Sequence, residues 1–385
     1  MSSRYFKVLW VFLIIAGRIN GQDESRAVEP PVSLEASYTG DIVRNFSGGI
    51  KKGTSYLGLV NLRVSLNTEG ARLWKGGQLF INGANAHGGN PSADLTGDFH
   101  TISNIEADEI TYIHELWYKQ TIGRVEVIIG LQDLNTDFVS TEYGSTFINS
   151  TFGTPSTIAD NVPSPIFPFT SAGVSLKWNF PETGTWKIAL FDGLPSALSR
   201  TKPGRIRLFN KEEGVFGVTE YQLTGSFKGR LTSSFRAGTY IHSQGSDLDT
   251  DSTAGRRNSS NYGLYLVADQ MISREPGGTG GLGIFAQIAL SPKAINSHHQ
   301  YFGLGLSYSG LFYKSNNDKL GVAFTHAAFK EEGKQGETVI ELTYQTRLTK
   351  YLFIQPDLQY VINPGGTDKQ LGNAVVGFVR FGVTL

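Results

Sequence analysis

The stretch that decides the fold is ETVIELTYQTRLTKYLFIQPDLQYVINPGG, residues 337–366. Apolar and polar side chains alternate along two segments of it, which meet at residues 348–350. In the first segment Ile340, Leu342 and Tyr344 form an apolar row. Because successive strand side chains point to opposite faces, the pattern predicts a hairpin with one apolar and one polar face. Two structures contain such a hairpin: a soluble β-sandwich, or a barrel wall with lipid outside and water inside.

The composition restricts the class of protein. The chain has 385 residues, 34 basic and 34 acidic side chains, and no cysteine. Strand and turn patterns repeat without a linker-like change in composition, which predicts one structural unit. The balanced charge provides no basic surface for nucleic acid. Without cysteine the chain has no disulfide framework and no cysteine-rich zinc site, and it suits an oxidising compartment.

Segments that alternate with period two recur along the whole chain. Sixteen of them are found, and most have the roughly 9 to 11 residues that a tilted strand needs to cross a bilayer. They span 33–43, 55–67, 77–86, 109–120, 124–134, 172–180, 185–193, 215–223, 233–243, 260–271, 281–291, 300–312, 319–329, 336–347, 351–362 and 373–385. The sequence therefore predicts an all-β protein, a transmembrane antiparallel β-barrel of sixteen strands.

The connections between these segments differ in length. Short turns at 120–123, 181–184 and 348–350 alternate with longer polar loops. The longer loops are 87–108, 135–171, 194–214 and 244–259. Outer-membrane barrels have short periplasmic turns and long external loops, so this alternation favours the membrane barrel over the sandwich.

The loop 135–171 is the longest connection, and it contains Pro155, Pro163, Pro165 and Pro168. Long loops often serve a function, and proline makes a loop stiff. We expect this loop to fold inside the barrel mouth and to narrow the pore. The alternative is a surface lid that does not contact the lumen.

The N-terminus has the pattern of an export signal. Arg4 and Lys7 precede the apolar run 8–16, and a polar, acidic segment begins at Gln22. The run is shorter than the roughly 20 apolar residues of a membrane-spanning helix. We therefore expect residues 1–21 to form a signal peptide and residues 22–385 to form a single barrel domain.

Five motifs together resemble a known family. ELTYQTRLTKYLFIQPDLQYVINPGG (341–366) is similar to the C-terminal signature of the carbohydrate-selective porins of the OprB type. Further matches are HELWYKQ (114–120), GLQDLNTDFVS (130–140), FINSTFG (147–153) and LFDGLP (190–195). The resemblance implies a sixteen-stranded barrel in the outer membrane of a Gram-negative bacterium. It also implies passive diffusion of small sugars, without catalysis and without a cofactor, and contact of the barrel with outer-membrane lipids.

The polar rows opposite the apolar rows provide candidate pore residues. The candidates for pore lining and sugar contact are Arg63, Glu115, Trp117, Lys119, Glu126, Gln132, Arg236, Glu341, Gln345, Gln355, Asp357 and Arg380. Asn67, Asp269 and Gln359 lie on the same predicted faces. Carboxylates, guanidinium groups and amides can replace the hydrogen bonds of sugar hydroxyls with water, and Trp117 and Phe353 offer apolar faces to a pyranose ring. Since both charge signs occur, we expect weak ion selectivity.

Other motifs give weaker signals. His114-Glu115 is half of a zinc-binding HExxH motif, but Tyr118 replaces the second histidine and the segment is a predicted strand. His298-His299 lies in a predicted loop. No spacing of serine, histidine and acid indicates a catalytic triad, although triads are spatial rather than sequential. Three hypotheses remain: a passive carbohydrate porin, a barrel enzyme such as an outer-membrane lipase, and a structural or adhesin barrel with a plugged lumen.

Overall fold

The structure is a computed structural model of the chain. It describes residues 30–181, 183–196, 213–227, 231–244, 260–275, 280–312, 318–329, 336–366 and 371–385. The predicted signal peptide, residues 1–21, lies outside the described residues. None of the helices in the described ranges is long and apolar enough to cross a membrane.

Sixteen antiparallel strands close into one barrel, in which each strand pairs with its neighbours along the chain and β1 pairs with β16. The strands are β1 (Val32–Gly49), β2 (Gly53–Asn67), β3 (Gly77–Gly88), β4 (Ile110–Ile122), β5 (Val125–Gln132), β6 (Ser171–Phe180), β7 (Gly184–Asp192), β8 (Val215–Phe227), β9 (Leu231–His242), β10 (Asn261–Arg274), β11 (Gly281–Leu290), β12 (His298–Ser309), β13 (Asp318–Phe329), β14 (Glu337–Arg347), β15 (Leu352–Ile362) and β16 (Gly372–Thr384). The predicted class and strand number are confirmed. Closure leaves no sheet edge, which hydrocarbon would not tolerate.

The hairpin 337–366 has the predicted faces. In the register of β14 and β15, Glu341 lies opposite Gln359 and Leu342 opposite Leu358. Leu342 and Leu358 are about half exposed and point outward, whereas Glu341 and Gln359 are buried on the inward face. A register slip of one residue would exchange these two rows.

Strand boundaries differ from the predicted ones where the sheet is irregular. The register between β1 and β16 shifts twice between Asn45 and Gly49. β1 extends to Gly49, beyond the predicted end at residue 43. A bulge in β4 places His114 and Glu115 together opposite a single residue of β3. The bulge turns both side chains inward, which strict alternation does not predict.

Connections of different length lie on opposite rims. One rim carries short turns such as residues 123–124, and we call it the short-turn rim. The other rim, the long-loop rim, carries the connections 89–109 and 133–170 together with the three-residue turn 50–52. Most of the loops at 194–214 and 244–259 lies outside the described residues.

The faces can be tested by placing charge on the outer row. Leu342→Arg is expected to lower the free energy of unfolding in bilayers by about 2 to 4 kcal/mol, because it exposes a guanidinium group to hydrocarbon. Leu348→Arg is the matched control, since Leu348 lies in the turn 348–350 beyond the strands. Urea titration in lipid vesicles measures both changes. Equal stability of Leu342→Arg and the parent would contradict the assignment of the outer face.

Candidate permeation pathway

Two long connections fold into the barrel rather than over it. We call residues 89–109 the first inner loop and residues 133–170 the second inner loop. The second inner loop contains short 3-10 turns and one turn of α-helix, α1 (Ser156–Ala159). Its Phe138, Ile148 and Phe152 are buried against the inward face of the barrel. The expected inward fold of loop 135–171 is confirmed, whereas the inward fold of the first inner loop was not predicted.

The two inner loops bind each other through their backbones. The amide of Asn104 donates to the carbonyl of Ile148 at 2.9 Å, and the amide of Ser150 donates to the carbonyl of Thr101 at 3.0 Å. A loop inside a barrel cannot use a sheet ladder to satisfy its backbone groups, so contacts of this kind replace it. The two loops therefore form one body within the lumen.

Glu341 fixes the centre of this body. Its carboxylate accepts hydrogen bonds from the amides of Ile148 at 2.6 Å and Asn149 at 3.0 Å. On the neighbouring strand, the Gln359 side chain accepts from Asn149 and donates to the carbonyl of Ile102. One carboxylate and one amide thus hold both inner loops. These contacts satisfy two backbone amides that would otherwise be buried without an acceptor.

Glu337 holds the first inner loop in the same way. Its carboxylate accepts from the amides of Phe99 at 2.7 Å and His100 at 2.9 Å, and from Gly365. The Nδ1 atom of His100 lies 2.8 Å from the same carboxylate, and neither side chain is accessible to solvent. A carboxylate with this many partners can remain buried at a tolerable cost.

Asp269 and Glu220 hold the start of the second inner loop. Asp269 accepts from the amides of Glu142 and Tyr143, and Glu220 accepts from the amide of Val139 at 2.8 Å. Basic side chains of the wall balance both carboxylates. These basic partners are Arg236, 3.0 Å from Asp269, and Lys187, 2.9 Å from Glu220.

A further anchor is an ion pair between β16 and β1, the two strands at which the barrel closes. Arg380 of β16 donates to both carboxylate oxygens of Asp41 in β1, at 2.7 and 2.8 Å. Asp41 also accepts from the hydroxyl of Ser103 in the first inner loop at 2.7 Å. This bidentate pair therefore joins the first and last strands and positions the loop at the same point.

Glycines on the inward face let loop aromatics lie against the wall. A Cβ at Gly283 would come within 2.1 Å of the Tyr143 ring, and a Cβ at Gly321 within 2.7 Å of the Phe147 ring. A Cβ at Gly305, within the stretch 303–310, would likewise meet Phe285. The glycines of this part of the wall serve close packing.

Part of the wall on β2 to β6 is not covered by the loops. There the rings of Phe80 and Trp117 stack at 4.8 Å with an interplanar angle of 22°. The Nε1 atom of Trp117 donates to Glu115 at 3.2 Å. Lys119 follows on the same face. We call the exposed and half-buried inward residues of this region the open wall; they include Arg63, Phe80, Trp117, Lys119, Glu126 and Lys177.

Charges on the open wall occur in opposite pairs. Arg63 of β2 forms an ion pair with Glu35 of β1, and both side chains are more than a third exposed. Lys177 of β6 lies 4.0 Å from Glu126 of β5. Exposed pairs of this kind contribute little stability and leave donors and acceptors available to a solute.

All twelve candidate pore residues lie on the inward face. Those with accessible surface are Arg63, Trp117, Lys119, Glu126 and Gln345. Those that are buried or nearly buried are Glu115, Gln132, Arg236, Glu341, Gln355, Asp357 and Arg380. The buried residues form hydrogen bonds or ion pairs with the inner loops or with neighbouring side chains and backbone of the barrel wall. In this conformation Glu341 has no surface for a solute, and sugar contact stays a prediction for the twelve.

The sequence interpretation missed several residues that organise the interior, namely Asp41, Lys187, Glu220 and Glu337. Each occupies an inward position of a predicted strand or lies at its edge. The available signal was a charged side chain in the polar row of a strand. That signal does not distinguish a loop anchor from a lumen residue.

Two motifs with possible chemistry serve the interior packing. The hydroxyl of Ser156 lies 2.8 Å from Nε2 of His298, but both residues are buried and the other ring nitrogen of His298 faces the carbonyl of Ala328. His114 lies 3.2 Å from Asp133. Within the described part of the chain, no group of three or more His, Asp or Glu residues could hold a metal ion.

Comparison with known proteins places the chain beside sugar porins. The profile of the family described as carbohydrate-selective porin, OprB family, matches residues 51–385. Porin B of Pseudomonas aeruginosa is 22% identical over 407 residues, which cover 94% of this chain and 89% of that protein. The high-pH structure of Pseudomonas putida OprB is 20% identical with a TM-score of 0.80, covering 92% of this chain and 94% of the other. The low-pH structure of the same protein is 16% identical with a TM-score of 0.59, covering 100% and 98%.

The anchoring role of Glu341 has a direct test. Glu341→Gln replaces a side chain with two acceptor oxygens by one with a single acceptor oxygen, so at least one of the two buried loop amides loses its partner. We expect the stability to fall by about 1 to 3 kcal/mol and the channel current to become larger and noisier. Single-channel recording in planar bilayers measures the current. Glu69→Gln is the matched control, because Glu69 is an exposed side chain in the turn between β2 and β3, on the short-turn rim. A quiet, unchanged current in Glu341→Gln would refute the anchoring role.

Proposed function

Because the chain belongs to the carbohydrate-selective porin family, OprB, it is an outer-membrane porin that passes carbohydrates, and we propose that sugars cross it between the open wall and the two inner loops. The observation that carries this proposal is the open wall on β2 to β6, whose inward side chains stay exposed or half-buried beside the inner loops. Diffusion down a gradient needs no chemical step. The family implies a channel rather than an enzyme.

The stacked pair Phe80 and Trp117 offers an apolar face to the sugar. A pyranose ring presents a flat C–H surface between its hydroxyl groups, and such a surface packs on an aromatic ring. The neighbouring Lys119, Arg63 and Glu126 provide donors and acceptors for the hydroxyl groups. This arrangement would exchange the water of a neutral sugar for protein contacts without binding the sugar tightly, as passage requires.

The buried carboxylates would set the width of the channel indirectly. They anchor the inner loops to β8, β10 and β14, and the proposed free cross-section lies beside the open wall. In this view Glu341, Asp269 and Glu337 are positioning residues, whereas Trp117 and Lys119 touch the solute.

The inner loops bring an excess of negative charge. Together they carry nine carboxylates and no lysine or arginine. The nine are Asp94, Asp98, Glu106, Asp108, Glu109, Asp133, Asp137, Glu142 and Asp160. The open wall contains the cations Arg63, Lys119 and Lys177. Because the charges of the open wall occur in opposite pairs, the excess comes from the loop carboxylates, which supports a modest cation preference within the weak ion selectivity expected from the sequence.

Removal of the aromatic face should affect sugars more than ions. Trp117→Ala is expected to weaken the block of ion current by a neutral hexose several-fold, while the ion current itself stays equal or increases. Trp178→Ala is the control, because Trp178 is an exposed tryptophan on the outer face of β6. The measurement is the sugar concentration that halves the current in planar bilayers. A channel that conducts ions but shows the same hexose block in Trp117→Ala would contradict the sugar path. The absence of any current in the parent would favour a plugged barrel.

Ion preference should depend on pH. Desolvation in the barrel interior is the main cause that raises the pKa of Asp98 to about 6 and of Glu106 to about 8. These carboxyls are neutral below their raised pKa values and become charged as the pH rises through them. We therefore expect cation preference to increase between pH 5 and pH 9, measured by the reversal potential in a salt gradient. The double variant Asp98→Asn, Glu106→Gln should show a flatter profile. An equally steep profile in that variant would refute the assignment.

A further inference from the structure

The inward face of β13 to β15 ends at the short-turn rim in four side chains that are exposed or half-buried. Lys319 lies opposite Gln345 in the register of β13 and β14, and Arg347 lies opposite Phe353 in the register of β14 and β15. All four lie on the same face of the sheet as Glu341. We call Lys319, Gln345, Arg347 and Phe353 the exit site, because short turns mark the periplasmic end of an outer-membrane barrel.

Phe353 provides a flat apolar surface at the exit site. A Cβ at Gly382 of β16 would come within 2.1 Å of the Phe353 ring, so the ring lies directly over the backbone of that glycine. Gly382 pairs with Phe353 and shares its inward face. Because one side of the ring covers the wall, the other side is turned to the lumen. Such an aromatic surface can pack on the C–H surface of a pyranose ring.

Gln345 is held in place by a chain of amides. Its side chain donates to the Gln355 side chain at 3.0 Å, and Gln355 donates to the carbonyl of Thr146 in the second inner loop at 2.8 Å. Within the described residues no group donates to the amide oxygen of Gln345. Gln345 therefore offers an oriented acceptor for a sugar hydroxyl.

The two cations of the exit site have no carboxylate partner. Neither Lys319 nor Arg347 forms an ion pair within the described part of the chain. The carboxylate of Asp318, the nearest acid in sequence, accepts from a backbone amide of the adjoining turn. On the open wall, in contrast, Arg63 forms an ion pair with Glu35. The exit site therefore carries two uncompensated positive charges on the inward face.

The second inner loop does not neutralise these charges. It contacts this part of the wall through Thr146, whose carbonyl accepts from Gln355. The stretch 143–159 around Thr146 contains no charged residue. Asp357, the next inward acid of β15, is buried. The two cations can therefore attract an anionic solute at the short-turn rim.

The spacing of these groups fits one small solute. Directly opposite residues on one face of an antiparallel pair have Cβ atoms about 5 Å apart, and diagonal neighbours lie about 7 to 8 Å apart. Phe353 is the direct neighbour of Arg347, and Lys319 is its diagonal neighbour across β13 and β14. The guanidinium fork of Arg347 matches the two oxygens of a carboxylate, and Lys319 adds a point charge for the same group.

We propose that the exit site binds uronic acids, in which a carboxylate is attached directly to a pyranose ring. The ring packs on Phe353, the carboxylate lies between Arg347 and Lys319, and a hydroxyl group donates to Gln345. A neutral hexose lacks the charged group and acetate lacks the ring, so each uses only part of the site. The inference rests on the proposed passage of sugars through this lumen and names one class among them.

Saturation-transfer NMR on the purified protein in detergent micelles tests the proposal with glucuronate, glucose and acetate as probes. We expect the parent to bind glucuronate several-fold more tightly than either of the other two. The double variant Lys319→Gln, Arg347→Gln should lower the glucuronate affinity to that of glucose and leave the glucose affinity unchanged. The control is Lys75→Gln, Arg124→Gln, which removes two exposed cations from other turns of the same rim and should bind like the parent.

Two further measurements separate ring recognition from simple charge attraction. Phe353→Ala should weaken glucuronate binding and leave acetate binding unchanged. Added salt should lower the glucuronate affinity of the parent but not its glucose affinity, because salt screens exposed charges. Equal glucuronate affinity in the parent and the double variant, or glucuronate binding no tighter than acetate binding in the parent, would overturn the proposal. The hexose block in Trp117→Ala tests the sugar path separately, so failure of one does not imply failure of the other.

Discussion

A backbone amide that leaves a sheet must find another acceptor, and this constraint shapes the interior of the barrel. The strands satisfy one another by closing β1 on β16. The two inner loops cannot join that ladder, so carboxylates of the wall accept their amides. Glu337, Glu341, Asp269 and Glu220 each bind at least one loop amide and have almost no accessible surface. Without these acceptors a folded loop inside the lumen would leave buried donors unpaired.

The same anchors explain how a wide barrel becomes a selective channel. Sixteen strands enclose more space than a small sugar needs. The loops occupy much of that space because wall carboxylates on β8, β10 and β14 bind them, while the open wall on β2 to β6 stays uncovered. Inward residues therefore have two different roles. Glu341 positions a loop, whereas Trp117 and Lys119 lie where a solute can reach them.

The outer face follows different rules from the inner face. Most outward rows are apolar because they meet lipid, as Leu342 and Leu358 illustrate. The inward face instead changes along the barrel wall. Arg63 of the open wall is paired with a carboxylate, whereas Lys319 and Arg347 at the short-turn rim form no ion pair with the described residues. The polar rows can therefore present different chemistry to a solute at different places in the lumen.

The sequence by itself determined the architecture, because strand periodicity is a local property. Alternation predicted sixteen strands and both faces of the hairpin 337–366, and the turn pattern predicted which connections are long. Tertiary structure alone decided what each inward side chain does. Glu341 and Glu126 occupy equivalent inward positions in their strands, yet only Glu341 has loop amides within hydrogen-bonding distance. The bulge that turns His114 and Glu115 inward is likewise set by pairing with β3. Contacts between residues nearly 200 positions apart leave no periodic trace in the chain, so only the folded barrel reveals them.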